Sequence, residues 1–449
     1  MKTYSIIFLL ALLGVAVGAS SCKKDSGNDN NDDNTGKSKT VVISDNGSGI
    51  GTQTWTADKV YVLDGFCFVN DGQTLTIEPG TVVKGKPGQG AEASALIVAR
   101  GGKIIAQGTA AKPIIFTAEA DDLKGSVPDN VRGLWGGVIL LGKAKLNTVP
   151  AEQQIEGIPT TEPRGTYGGN DDADNSGILT YVSIRHGGTD IGAGNEINGL
   201  TLGAVGSGTT IDYIEILSNS DDGIECFGGK PNLKHILIAN CADDGLDYDQ
   251  GFRGNVQFYC VLGAPDGNRC GEHDGGTNPE DGTPYAIPTI FNVTYIGSVG
   301  NDNCHVITFR DNAGGKYYNS IFVDCKKGID VEKLTSGEDS YNRFVQGDLK
   351  VENNVFYNIN GEKTDANPNT FLKSGKDGTA TEDAALAAYF TSANNIVVDP
   401  GVSLTNPVPT HPQTTGLASY PAGFEAVNYK GAFGSTNWAE GWTATFKSK

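Results

Sequence analysis

Residues 211–267 read IDYIEILSNSDDGIECFGGKPNLKHILIANCADDGLDYDQGFRGNVQFYCVLGAPDG, and this stretch repeats with a period of about 22 residues. Written in rows of that length, Ile214 lies above Ile236 and Ile216 lies above Ile238. Three turn dipeptides also fall in register: Asp222-Gly223, Asp244-Gly245 and Asp266-Gly267. A fixed period of this size indicates a stacked repeat architecture.

Apolar residues alternate within each row, which is the spacing of β-strands. The third row places Phe258 and Cys260 below Ile236 and Ile238. Each row closes at Asp-Gly, because Gly accepts a positive φ and Asp can bond the local backbone. A unit this short cannot bury its apolar side alone. The sequence therefore predicts an all-β parallel β-helix over residues 41–400, interrupted by short helix and loop insertions.

Earlier segments of the chain show the same alternation with Gly punctuation, at residues 75–83, 95–102 and 113–117. The sequence of these segments resembles the opening coils of many bacterial surface β-helices. Period and turn chemistry together resemble the right-handed β-helix of the pectin-lyase-like superfamily. This resemblance implies the fold and leaves the activity open, because the catalytic motifs of that superfamily are incomplete in this chain.

The late coils share a second pattern, in which Asn precedes a strand at Asn292, Asn319, Asn353 and Asn394. Asn at such a bend can adopt the left-handed conformation or bond its own backbone. Residues 382–390 predict a short helix. Residues 401–449 contain an aromatic tail, which we expect to cap the open last coil, since exposed strand edges need cover. The alternative is an aromatic platform for a sugar.

The N-terminus predicts export and a lipid anchor. Residues 1–21 combine a basic start with an apolar run at 6–17, which is too short to span a bilayer. The small residues before Cys22 resemble a lipobox, which implies lipidation at Cys22; the alternative is an ordinary secretory signal. Residues 22–40 are polar and acidic, and predict a flexible tether. This start resembles surface lipoproteins of the Bacteroidota, which implies the outer membrane, facing the cell exterior.

The charge and cysteine content restrict the partners and the bonds. A formal net charge of −19 argues against nucleic acid and anionic lipid as partners of the body of the chain. A glycan, a surface protein or a divalent cation remains compatible, and we expect a monomer. Cys304 and Cys325 are about one coil apart, which predicts a disulfide between stacked strands. The alternative is that they are small buried apolar residues.

An acidic ladder in the central rows is the main candidate for chemistry. Alternation places Glu225, Asp247 and Asp249 outside the coils, with Glu225 and Asp247 stacked one above the other. Like charges in this position repel, so solvent, a cation or a raised pKa must offset them. The ladder therefore predicts a Ca²⁺ site, a solvated acidic face or a catalytic carboxylate pair.

Two functions are compatible with these features. The first is a lipid-anchored surface β-helix that binds a glycan or a protein partner without cleaving it. The second is a polysaccharide lyase or glycoside hydrolase that uses Glu225 and Asp247 with His273. Polygalacturonases combine clustered Asp with a His and an Arg, but the Gly-His-Gly and Arg-Ile-Lys motifs of those enzymes are missing here. The first function is therefore the sequence-based prediction.

Overall fold

The computed structural model describes residues 39–192 and 195–447. The fold is a right-handed parallel β-helix, as predicted. None of the helices among the described residues has the length and apolar character needed to cross a bilayer. The predicted signal sequence, Cys22 and nearly all of the predicted tether lie outside the described residues, and the first strand already begins at Lys39.

Strands are numbered in chain order and form two long sheets and two short pairs. Sheet A contains seventeen strands: Lys39–Ser44 (β1), Gln53–Trp55 (β2), Lys59–Asp64 (β3), Thr74–Ile77 (β5), Val82–Gly85 (β6), Lys103–Gln107 (β8), Ile114–Ala118 (β9), Gly177–Arg185 (β13), Thr210–Leu217 (β17), Asn232–Ala239 (β19), Asn255–Leu262 (β21), Thr289–Ile296 (β23), Gly315–Tyr318 (β25), Ile321–Val323 (β26), Leu349–Glu352 (β28), Val355–Tyr357 (β29) and Ile396–Val397 (β31). Sheet B contains ten: Phe66–Val69 (β4), Ala95–Val98 (β7), Val138–Leu141 (β10), Leu200–Gly203 (β16), Ile224–Phe227 (β18), Leu246–Asp249 (β20), Gly271–Asp274 (β22), His305–Arg310 (β24), Lys327–Val331 (β27) and Leu372–Ser374 (β30). The antiparallel pairs are Gln153–Gln154 (β11) with Thr166–Tyr167 (β12), and Asp190–Gly192 (β14) with Asn195–Glu196 (β15).

The stacking of the first two central rows is confirmed, since β17 pairs with β19 in parallel and Ile216 lies beside Ile238. The predicted third row is wrong by one residue: Tyr259, not Phe258, lies beside Ile236, and Val261, not Cys260, lies beside Ile238. The chain between β20 and β21 is one residue longer than the preceding connection, so the row has slipped. In sheet B the turn equivalent to Asp244 is formed by Arg269, not Asp266, since the Gly245 N–H donates to the Arg269 carbonyl.

The long strands of sheet A bend at one residue per coil, and that residue has a positive φ. In the late coils this residue is Asn, at Asn292, Asn319, Asn353 and Asn394, as the sequence predicted. In the earlier coils the same position is aromatic, at Tyr181, Tyr213, His235 and Phe258. Left-handed backbone is uncommon for bulky side chains, so the stacking of these rings offsets the strain of the bend. Tyr213 lies 4.4 Å from Tyr181 and 4.2 Å from His235 between ring centroids.

The coil interior is a continuous apolar core, which ends at a helix. Helix α1 spans Ser340–Gln346 and helix α2 spans Ala380–Ser392, which confirms the predicted helix. Short 3-10 turns occupy Gly90–Glu92, Pro163–Gly165 and Pro368–Thr370. Helix α2 begins with a capping box from Thr379 and Glu382, and its Phe390 packs on Phe356 and Phe371 of the last coils. Helix α2 therefore covers the apolar interior of the last coils.

The aromatic tail does not cover the last coil, which corrects the expectation. It runs back along sheet A, from Gly416 beside Asn353 to Thr445 beside Glu215. Trp442 lies edge-on to the bend rings, 5.4 Å from Tyr181. The tail packs on sheet A because the stacked aromatic residues of the bend form a wide apolar surface there, and helix α2 already covers the end of the stack.

Candidate functional site

The outward face of sheet B carries one polar residue per coil in a single row. The row runs through Thr201, Glu225, Asp247, Glu272, Thr308, Asp330 and Lys373. Parallel pairing places Glu225 directly beside Asp247, as the sequence predicted. The row is acidic in the central coils and becomes basic at Lys373. The sheet therefore presents two chemically different regions.

The central part of the row is covered, which the sequence did not predict. Residues 143–168 fold over sheet B and form a second apolar cluster outside the coils, in which Tyr167 packs against Phe227. Glu225 is only 9% exposed, and the Asn198 Nδ2 donates to Glu225 Oε2 at 2.6 Å. Burial raises the pKa of Glu225 well above its ordinary value, and the neighbouring Asp222 adds to this effect. Of the three alternatives for the ladder, a freely solvated acidic face is therefore wrong at Glu225.

Five aspartates converge on the coils beside Glu225 and are called the acidic cluster: Asp221, Asp222, Asp243, Asp244 and Asp247. One carboxylate oxygen from each of Asp222, Asp244 and Asp247 lies within 4.8 Å of the others, and the same holds for Asp221, Asp222 and Asp243. Asp247 Oδ1 is buried without a hydrogen-bond partner among the described residues. Burial raises the pKa of Asp247, and the charge of Glu225 raises it further. Such a set of oxygens fits a hard cation, since Ca²⁺ takes oxygen ligands at about 2.3–2.6 Å.

The three predicted metal ligands behave differently. Asp247 belongs to the acidic cluster, and Glu225 lies beside it. Asp249 is not among the converging oxygens; its carboxylate accepts the backbone N–H of Gln250. Burial raises the pKa of Asp249 to about 6. The turn residues Asp222 and Asp244 accept backbone N–H groups, from Asp244 and Arg269 respectively, as the turn chemistry predicted, and their carboxylates also belong to the acidic cluster.

His273 is not in a position to catalyse. Its side chain points into the coil interior and is fully buried, stacked 4.0 Å from the Tyr248 ring. Its Nε2 lies 2.5 Å from the Tyr317 hydroxyl. Burial lowers the pKa of His273 to about 3, so the imidazole stays neutral. Parallel pairing places His273 beside Tyr248 of the preceding coil, because this coil is longer than the 22-residue period.

A groove of about 800 Å³ opens at the other end of sheet B, around β24, β27 and β30, and is called the cationic groove. It is lined by His305, Lys327, Asp330, Asn360, Asn367, Asn369, Thr370, Lys373, Ser374, Lys376, Thr379 and Asp383, together with intervening small residues. Its floor is Asp330, with Lys373 beside it on the next strand. The segment before β30 and the start of α2 form its walls. Its volume lies within the range of small-molecule sites.

The charges of the cationic groove are available to a ligand. Lys327, Lys373 and Lys376 are exposed, and none of them makes an ion pair within the described part of the chain. Lys327 Nζ instead lies 3.1 Å from His305 Nε2. Burial and the charge of Lys327 lower the pKa of His305 to about 4. The imidazole is therefore neutral, and its Nε2 can accept a hydrogen bond from Lys327 Nζ.

The two carboxylates of the groove differ: Asp383 accepts hydrogen bonds within the protein, and burial raises the pKa of Asp330. Asp383 Oδ1 accepts the backbone N–H of Ser374 at 2.9 Å and the hydroxyl of the same residue at 2.5 Å. Burial raises the pKa of Asp330, and the charges of Lys373 and Lys327 oppose this shift. Asn369 Oδ1 is buried and has no hydrogen-bond partner among the described residues. The groove thus combines free cationic groups with open polar groups.

The predicted disulfide between Cys304 and Cys325 is not formed in the structure, where all seven described cysteines are free thiols. Pairing of β24 with β27 aligns His305 with Lys327, so the strand neighbour of Cys304 is Lys326 rather than Cys325. Both sulfurs nevertheless point into the same region, and Cys270 Sγ lies 3.9 Å from Cys325 Sγ.

Comparison with known proteins agrees with this architecture. A model of the family described as pectate-lyase like beta helix domain matches residues 47–443. The curated proteins contain no match. Among solved structures, the Dettilon tailspike protein is similar, with a TM-score of 0.22 and 10% identity over 72% of this chain and 61% of the tailspike chain. Since the family model spans most of its length, the chain belongs to the pectate-lyase-like β-helix domain family.

Proposed function

We propose that this protein is a lipid-anchored cell-surface β-helix that binds an acidic glycan in the cationic groove and does not cleave it. The observation that carries this proposal is the set of three exposed lysines, Lys327, Lys373 and Lys376, which line one groove of an otherwise acidic chain. Family membership supports a glycan as the ligand class, since the family is named after a polysaccharide lyase.

The chemistry of the groove favours a uronate or sulfated sugar over a neutral one. A carboxylate or sulfate on the ligand would pair with the lysine ammonium groups, and such charge-assisted bonds are stronger than neutral ones. Sugar hydroxyls can donate to Asp330 and to the unpartnered Asn369 Oδ1. The negative charge elsewhere on the chain repels an anionic ligand, so the attraction for such a ligand is confined to the lysines of this groove.

Binding can be tested with a panel of oligogalacturonate, alginate and chondroitin sulfate fragments against neutral xylan and dextran. The acidic fragments should bind to the wild-type protein. Lys373→Gln should weaken that binding about tenfold or more, because one charged hydrogen bond contributes roughly 1.5–3 kcal/mol. Lys103→Gln is the matched control. It removes the same charge, and Lys103 is exposed on sheet A. Equal losses in both variants, or preference for the neutral glycans, would refute the proposal.

Cleavage by Glu225 and Asp247 is the alternative, and the structure gives it less support. Glu225 is buried next to the apolar cluster formed with residues 143–168, Asp247 Oδ1 is also buried, and His273 lies in the core. Incubation of the same acidic fragments with the protein, at concentrations used in enzyme assays, should yield no unsaturated products and no new reducing ends. Release of products that disappears in Glu225→Gln or Asp247→Asn would establish the enzymatic function instead.

We further propose that Ca²⁺ occupies the acidic cluster and that it serves the fold. The buried and unpartnered Asp247 Oδ1 supports this, because a bound cation would supply the partner that the protein does not. Metal analysis of protein purified without chelator should find Ca²⁺, and Asp247→Asn should reduce its content. Asp281→Asn is the control, since Asp281 is exposed and distant in sequence from the cluster. Protein that is free of Ca²⁺ and does not bind it on titration would contradict this.

The anchor is proposed at Cys22, on the outer membrane and facing the exterior. Metabolic labelling with a fatty-acid analogue should mark the wild-type protein and not Cys22→Ser. Added protease should digest the wild-type protein on intact cells, which separates an exterior from a periplasmic location.

A further inference from the structure

A second groove opens within the C-terminal tail and is called the tail groove. It has a volume of about 710 Å³ and lies between residues 405–410 on one side and residues 435–447 on the other. It shares no lining residue with the cationic groove. Its volume also lies within the range of small-molecule sites. The tail thus does more than cover the aromatic bend of sheet A.

The wall formed by residues 435–447 is fixed to the coils. The buried carboxylate of Glu215 accepts the backbone N–H of Ala444 at 2.9 Å and that of Thr445 at 2.8 Å. Trp442 is buried against the bend rings of sheet A, and its indole N–H donates to the Trp438 carbonyl at 2.9 Å. This wall therefore has its shape before any ligand arrives, which lowers the cost of ordering on binding.

The opposite wall is folded on itself. Ser403 and Asn406 exchange backbone hydrogen bonds at 2.8 and 3.0 Å, which closes a tight turn. The Thr410 hydroxyl donates to the Gly401 carbonyl at 3.1 Å, so the end of this segment is tied back to its start. Pro409, which lines the groove, is buried. Both walls of the tail groove are thus preformed.

The groove contains an apolar surface that includes one aromatic ring. Phe446 and Val408 both line it, and both pack with their other sides against an apolar cluster formed by sheet A and the tail. The backbone N–H of Phe446 donates to the Thr443 hydroxyl at 3.1 Å, and its carbonyl accepts from Gly441 at 3.2 Å. An aromatic ring held in this way can pack against the C–H face of a sugar ring.

Polar groups free to bind a ligand surround this apolar surface. Ser435 and Thr436 are exposed, and their hydroxyls make no hydrogen bond within the described part of the chain. The exposed carboxylate of Glu440 is likewise without a partner among residues 39–192 and 195–447. Asn437 Oδ1 accepts the N–H of Ala439 at 2.9 Å, which leaves its Nδ2 free to donate. Hydroxyl groups both donate and accept, so they can pair with all of these groups.

The charges of the tail groove favour a neutral ligand. Of the residues that line it, Glu440 and Lys447 are charged, and their charges are opposite. The lining therefore has no excess charge, whereas the cationic groove presents three exposed lysines. An apolar ring surface bordered by free hydroxyl, amide and carboxylate groups is complementary to a sugar that carries hydroxyls and no ionic group.

We propose that the tail groove binds a neutral pyranose unit of a glycan, with the sugar ring against Phe446 and its hydroxyls on Glu440, Asn437 and Thr436. This site is independent of the acidic-glycan site on sheet B and does not rest on it. A hexose has about twelve non-hydrogen atoms, and at the binding energy usual per atom its dissociation constant is on the order of 1–10 mM. The tail groove is therefore a weak second site, whose affinity is insensitive to salt.

Saturation-transfer NMR on the full chain tests this proposal, with the methyl glycosides of glucose, galactose, mannose and xylose as probes and sorbitol as a polyol without a ring. At least one glycoside should receive saturation from the protein, with a millimolar dissociation constant that does not change with salt, and sorbitol should not. Glu440→Ala should weaken binding about tenfold, because a hydrogen bond to a charged group is lost. Glu119→Ala is the matched control, since it removes the same charge from an exposed position outside the groove.

Phe446→Ala provides a second test, and it should abolish the transfer to the sugar ring protons. Circular dichroism and limited proteolysis of each variant establish that the coils and the tail are intact; if Phe446→Ala releases the tail, Thr436→Ala at an exposed position takes its place, with a severalfold weaker affinity expected. Absence of transfer to all four glycosides, or equal transfer in wild type and Glu440→Ala, would overturn the proposal. Loss of the signal in Lys373→Gln would also overturn it, because the sugar would then occupy the cationic groove.

Discussion

Removing the charge of Asp221 should stabilise the protein at pH 8 when metal is absent. Burial raises the pKa of Asp221 to about 7, and the charge of Glu156 adds to this effect. The folded protein therefore holds this proton more tightly than the unfolded chain, whose aspartates titrate near 3.8. The free energy of unfolding is consequently highest below the unfolded pKa, and it falls as the pH rises through about 7.

The expected size follows from the shift. One pKa unit corresponds to about 1.4 kcal/mol, so the shift of Asp221 corresponds to a loss of as much as about 4 kcal/mol between acidic and alkaline pH. Asp221→Asn should recover most of that loss at pH 8 and only about a third of it at pH 5, which lies just above the unfolded value of 3.8. Carboxyls with lowered pKa values, such as Glu162 and Asp266, titrate below this window and do not obscure the effect.

Denaturant unfolding followed by tryptophan fluorescence, in EDTA from pH 5 to pH 8, measures this difference. Asp281→Asn serves as the control at an exposed position. Ca²⁺ in place of EDTA should reduce the pH dependence of the wild-type protein. At a Ca²⁺ concentration one hundred times the dissociation constant, binding adds about 2.7 kcal/mol to the free energy of unfolding. The reasoning is refuted if the wild type in EDTA is equally stable at both ends of the range, or if Asp221→Asn is less stable than wild type at pH 8.

Three further substitutions test how the C-terminal tail and helix α2 are held against the coils. Trp442→Ala should cost roughly 3–5 kcal/mol, because Trp442 is 2% exposed and packs on the bend rings, and limited proteolysis should then cut the tail first. Glu215→Gln should destabilise by about 3 kcal/mol, since the fully buried carboxylate accepts the N–H of Ala444 at 2.9 Å; a melting curve like that of wild type would argue against this. Phe390→Ala should cost a similar 3–5 kcal/mol and speed hydrogen exchange in α2, while exchange in β17 stays slow.

Much of the fold could be predicted because stacking converts a sequence period into contacts. Ile216 and Ile238 share a spacing, an environment and a turn, so alignment of two rows predicts that they touch. The prediction failed at Phe258, where one additional residue in the preceding connection changed the register. A fixed period cannot anticipate such insertions, because a connecting loop tolerates length changes that the apolar pattern inside the strands does not record.

The candidate site was less predictable because it depends on segments far apart in the chain. The alternation of the strand correctly placed Glu225 outside the coils. Its burial depends on Tyr167 and the rest of residues 143–168, and no local sequence pattern predicts that this segment packs on sheet B. The cationic groove was missed because Lys327 and Lys373 are separated by a long insertion, so no common period connects them. A search for clustered lysines in an acidic chain would have identified Lys373 and Lys376.

Calorimetric titration of the wild-type protein with an acidic oligosaccharide and its carboxyl-reduced counterpart tests the central claim most directly. The two ligands have the same length and linkage, and they differ only in the charges that Lys327, Lys373 and Lys376 are proposed to recognise. The acidic ligand should bind at least tenfold more tightly, with an affinity that falls as salt is added. Equal affinity for both ligands, or no heat from either, would contradict an acidic-glycan receptor.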